Sequence, residues 1–67
     1  MAIRIGSNVS WNTSQGKTHG KVVERKTSDF TFDGQHFRAS DDEPKFIVES
    51  DKTGARAAHA GSALTSR

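Results

Sequence analysis

The chain has no cysteine and no tyrosine, a single proline, one tryptophan and four phenylalanines, and only 31% of it is apolar. Without cysteine there is no disulfide to compensate for a thin core, and a thiolate zinc site is excluded. Without tyrosine, an aromatic cage or a base-stacking platform must be assembled from very few rings. No apolar run approaches membrane-spanning length and no hydrophobic signal segment opens the chain, so no membrane association is expected and the cytoplasm is the default location. The helical period is nearly absent as well. Alternation and turn signals take its place.

At 67 residues the chain is expected to be one domain, spanning 1–67 with its core over about 5–65. A domain this small buries only about 60% of the surface its unfolded chain exposes. Nearly all the large apolar residues are therefore expected inside: Ile3, Ile5, Val9, Trp11, Val22, Val23, Phe30, Phe32, Phe37, Phe46, Ile47, Val48 and Leu64.

Strands and turns can be placed from local pattern. "VSWN" puts Val9 and Trp11 on one face and Ser10 on the other. "NTSQGKTHG" reads as a loop, and "KVVERKT" as a strand starting just after Gly20. Asp33-Gly34 is a two-residue hairpin signal, because a type I′ turn needs positive φ at both positions. It pairs Phe30 with Phe37, Thr31 with His36, Phe32 with Gln35 and Asp29 with Arg38, leaving Phe30, Phe32, Phe37 and Ala39 on one face. "SDDEP" is a polar loop that Pro44 keeps from becoming a helix, and "KFIVES" is a strand with Phe46 and Val48 inward. "ARAAHA" is expected as a last strand, with a helix over residues 55–64 as the competitor, and "GSAL" as one 3₁₀ turn with Leu64 plugging an end. The last few residues are expected to fray. Five short strands around one aromatic core give an all-β fold, a small SH3-like barrel.

Several motifs resemble chemistry. Asp51-Lys52-Thr53-Gly54 is most of the phosphorylation signature of P-type pumps, but such a site needs a parallel α/β domain of well over a hundred residues. The bland alternative is a turn in which Asp51 accepts backbone hydrogen bonds and Gly54 takes positive φ. Gly16-Lys17-Thr18 lacks the upstream glycine of a phosphate-binding loop, since Trp11 stands there. His19, His36 and His59 are widely spaced, and three adjacent acids, Asp41, Asp42 and Glu43, cannot all face one ion. No catalytic residues, metal ligands or cofactor are assigned.

The quoted residues also resemble a family. "GSNVSW", "HGKVVE", "SDDEPKFIVESDKTG" and "AAHAGSALT" are similar, in order and spacing, to the small bacterial hypervirulence-associated protein Tudor-domain family, over roughly residues 5 to 65. The resemblance implies a Tudor-like, SH3-type barrel and makes "SDKTG" a turn of the family. It implies no defined activity, and no cage residues carry over. Ser7 departs from the family, which often has Asp after Gly6.

Net charge is +2 and unevenly distributed. Lys17, Lys21, Arg25 and Lys26 cluster in one stretch, Asp41 to Asp51 is acidic, and no acid follows Asp51. Two binding surfaces are therefore candidates. One is basic, made of Lys17, Lys21, Arg25, Lys26 and Arg56, from the stretches Lys17–Lys26 and Lys52–Arg56, and suited to nucleic acid. The other is an aromatic pocket at Trp11 and Phe32, suited to a peptide. A protein or peptide partner is slightly favoured because net charge is small. A monomer is expected, with a dimer formed by pairing of edge strands as the alternative.

Overall fold

The computed structural model describes residues 3–14 and 16–66. Its strands are β1 (Asn8–Thr13), β2 (Gly16–Lys26), β3 (Phe30–Phe32), β4 (Gln35–Phe37), β5 (Lys45–Ser50), β6 (Arg56–Ala60) and β7 (Thr65–Ser66), with a 3₁₀ turn at Gly61–Ala63. Five of them form an antiparallel sheet in the order β6-β5-β2-β1-β7, and β3 and β4 form a separate hairpin. The fold is all-β, as the alternation predicts.

The alternation along β1 and β5 selects the core. Val9, Trp11, Val22, Phe46, Val48 and Leu64 form one buried cluster, with Ile3 and Ala57 packed against it. Trp11 lies on β1 and His59 on β6, with β5 and β2 between them in the sheet, yet their rings are 5.8 Å apart. The sheet must therefore curl until its two sides meet, which makes it a barrel. Leu64 follows the 3₁₀ turn and, 8% exposed, belongs to the core cluster.

β2 is longer than the turn residues of its first half imply. It begins at Gly16, not after Gly20, so most of "NTSQGKTHG" is strand; Gln15 lies outside the described residues. Pairing with β1 from Thr13↔Gly16 to Asn8↔Lys21 overrides the poor strand propensity of these residues. A bulge between Val22 and Glu24 then shifts the register against β5. Val22 opposes Val48 inside, while Glu24 opposes Ile47 on the other face. Without the extra residue, strict alternation would aim Glu24 into the core.

The Asp33-Gly34 hairpin has the expected register, with φ of 54° and 77° at its two turn residues. Its aromatic face, however, is not part of the barrel core. Phe30, Phe32 and Phe37 are half-buried, and Phe30 and Phe37 stack on each other at 5.3 Å. The Asp29 carboxylate accepts a hydrogen bond from the Ala39 N–H and lies 3.8 Å from His36, where the sequence pairs it with Arg38. Ile5, also expected inside, is 62% exposed. Ile47 is fully buried but stands outside the core cluster.

The chain's end matches one expectation and departs from another. Residues 56–60 are strand and not helix, because Lys45↔Ala60 through Glu49↔Arg56 gives every one of them a ladder partner. Thr65 and Ser66 pair with Ser10 and Val9, so they are held in the sheet and not frayed; Arg67 lies outside the described residues. No helix among the described residues is long and apolar enough to cross a membrane.

Candidate functional site

Two turns lie side by side at one end of the barrel. The first joins β1 to β2, where the Thr13 hydroxyl donates to the Gly16 carbonyl at 2.8 Å and Gly16 takes φ of 112°. The second is Asp51–Gly54. The Gly54 N–H donates to the Ser50 carbonyl at 2.9 Å, the Ser50 N–H to the Ala55 carbonyl at 2.8 Å, and Gly54 has φ of 75°. "DKTG" is therefore a turn. It is not Asp51 that caps it: the Ser50 and Thr53 side-chain oxygens accept from the N–H groups of Lys52 and Ala55, both at 3.2 Å. Asp51 ties the second turn to β2. Its N–H donates to the His19 carbonyl at 3.0 Å, and its carboxylate lies 3.3 Å from His19 Nδ1.

Between the turns is a hollow of about 390 Å³. Trp11 forms part of its wall, Lys17, Lys52 and Arg56 reach its rim, and among the described residues no Asp or Glu lines it. Hydroxyls of Thr18, Ser50 and Thr53 add polar groups. Arg56 is steadied by Glu49 at 3.2 Å, and a smaller neighbouring hollow brings Lys17 and Lys52 near Asp51. Three cations around one concavity attract an anion and repel an ammonium, so this hollow is the reverse of a methyl-lysine cage, which needs several rings and no net positive charge.

The five predicted basic residues do not gather at one point. Lys17 and Arg56 meet at the hollow. Lys21 lies in a row across the sheet with Glu49 and then Arg56, so an acid separates the two cations. Lys26 is 2.8 Å from Glu24, which holds the Glu24 carboxyl below its ordinary value, and its ammonium is 5.8 Å from the Phe30 ring centre. Arg25 is exposed opposite Phe46. From Lys17 to Lys26 an extended strand runs roughly 30 Å. Lys52 was legible only as part of an acid-free stretch; the turn carries it to the same rim.

Trp11 and Phe32 do not share a pocket among the described residues. Trp11 is 5% exposed in the barrel core, and Phe32 is half-buried on the separate hairpin. The three histidines are in three places: His19 on Asp51, His36 toward Asp29, and His59 against Trp11. Burial beside Trp11 pushes the His59 pKa below its ordinary value.

The family described as "Hypervirulence associated proteins TUDOR domain" matches residues 6–64. The chain belongs to that family. No curated protein and no solved structure matches it. Membership agrees with the barrel and with the coarse role of a small binding module.

Proposed function

We propose that this Tudor-family domain is a non-catalytic, cytoplasmic interaction module that binds an acidic segment of a protein partner in the hollow between its two turns. The observation that carries this reading is the rim of Lys17, Lys52 and Arg56 around a concavity with no carboxylate in its lining among the described residues. A wall formed partly by Trp11 adds apolar surface for the segment's carbon atoms. A nucleic-acid backbone is the second reading, supported by the same cations and by Lys21, Arg25 and Lys26. Against it, Glu49 interrupts the row from Lys21 to Arg56 and Glu24 holds Lys26. A phosphate track needs cations repeated along an open path.

The test is an amide chemical-shift titration with a glutamate-rich peptide and, separately, with a short mixed-sequence oligonucleotide, at low and moderate salt. The peptide is expected to shift Lys17, Thr18, Lys52, Thr53 and Arg56, with the shifts fading as salt rises. The double variant Lys17→Glu, Lys52→Glu is expected to fold and to lose the effect. Shifts running along Lys21, Arg25 and Lys26 with oligonucleotide alone would replace the first reading by the second. Silence with both ligands at low salt would overturn both.

A further inference from the structure

On one side the hollow is lined by Arg56 and Ala57 of β6, the strand at which the hydrogen-bond ladder of the described residues ends. β6 is the last strand on its side of the sheet, so none of its five residues has a ladder partner on the outer side among the described residues. Across the gap, the described part of β7 pairs with β1 at Val9 and Ser10. Side chains close the barrel here, Trp11 against His59, and among the described residues no backbone ladder does.

The alternation of an antiparallel ladder says which groups face the gap. The Ser50 N–H donates to the Ala55 carbonyl, so Ala55 points its backbone at β5, and by alternation Ala57 and His59 do the same. Arg56 and Ala58 then direct their N–H and C=O groups outward. On β1, the Ser7 carbonyl accepts from the Val22 N–H, so Asn8, Ser10 and Asn12 point away from β2. Ser10 lies opposite Thr65.

An uncovered edge normally carries several charges, a bulge or a proline to prevent pairing. β6 reads "RAAHA", with one cation at its start and three alanines that let another backbone come close. From this the geometry points to strand addition. An acidic peptide docks in extended form along the outer edge of β6, exchanging backbone hydrogen bonds with Arg56 and Ala58, while its carboxylates meet Lys17, Lys52 and Arg56. The inference rests on the acidic-peptide reading above and adds its binding mode. β6 is preferred to β1 because its whole length lacks an outer ladder partner among the described residues, and because Arg56 supplies both an edge backbone and a rim charge.

The experiment uses a short synthetic peptide of alternating glutamate and valine and two forms of it, N-methylated at alternate residues on one backbone edge or on the other. Amide exchange of the labelled protein and binding affinity are read together. Strand addition predicts slower exchange at Arg56 and Ala58 on binding. It also predicts that one methylated form binds about tenfold more weakly, as expected for one or two lost backbone hydrogen bonds, while the other binds like the parent. If the parent peptide shifts Lys17 and Lys52 but both methylated forms bind equally and exchange is unchanged, strand addition is wrong and the charge reading survives. If the parent does not bind, both fall. If exchange at Arg56 and Ala58 slows with protein concentration alone, the edge pairs with a second copy of the chain, and the peptide is not its occupant.

Discussion

Gly20 lies on β2 directly against the backbone of β5. A Cβ at this position would collide with the backbone carbonyl of Glu49, and backbone cannot swing aside as a side chain can. Its row across the sheet is Val9, Gly20 and Ser50, on the side that carries the core. Gly20→Ala is therefore expected to destabilise the domain by about 3 kcal/mol, the upper part of the overpacking range, read as a lower urea midpoint with an unchanged slope. An effect near zero would mean that β2 and β5 can separate at no cost. Gly61 makes a milder version of the same contact, with the Phe46 ring 3.2 Å from where its Cβ would be.

At the scale of elements, the barrel and the hairpin are energetically unequal. Phe46 is 4% exposed within the core cluster, whereas Phe30, Phe32 and Phe37 stand half-buried on a hairpin with its own two-stranded ladder. Phe46→Ala should cost about 3–5 kcal/mol, the range for emptying a core phenylalanine site. Phe32→Ala should cost less than about 2 kcal/mol, because water already reaches part of its ring. Thermal unfolding of the two variants checks the ordering; equal losses would place the hairpin inside the cooperative core. The hairpin's register was readable from Asp33-Gly34 because a type I′ turn is a local constraint. Its exclusion from the core was not, because four phenylalanines look alike until the strands carrying them are placed.

For the molecule as a whole, Glu24 and His59 contribute to how stability depends on pH. The hydrogen bond and charge of Lys26 lower the Glu24 pKa from 4.5, so this contribution is present above that value and lost as pH falls through the folded pKa. Burial lowers the His59 pKa from 6.5. Below that value the unfolded chain takes up a proton that the folded state resists, so stability again falls as pH falls. His59 is expected to add a first stage of decline in stability that begins near pH 6.5 as pH falls, and Glu24 a further one below pH 4.5. His59→Phe keeps a ring against Trp11 and should remove the first stage alone. A first stage of unchanged size in that variant would assign it to another group.

The sequence by itself determined the class of fold, the hairpin register, the turn at Asp51–Gly54, the inward positions of Val9, Trp11, Phe46 and Val48, and the 3₁₀ turn before Leu64. These follow from period-two alternation and from backbone angles that only certain residues adopt, both of which are local. Tertiary structure alone decided that residues 16–20 are strand, that a bulge at Val23 rescues Glu24 from the core, and that Lys17, Lys52 and Arg56 share a rim while Lys21, Arg25 and Lys26 do not. It also decided that the ladder stays open at β6. Each of these depends on which strand lies beside which, and on how tightly the sheet curls. Residues dozens of positions apart settle that jointly, through pairing and burial that no short stretch encodes.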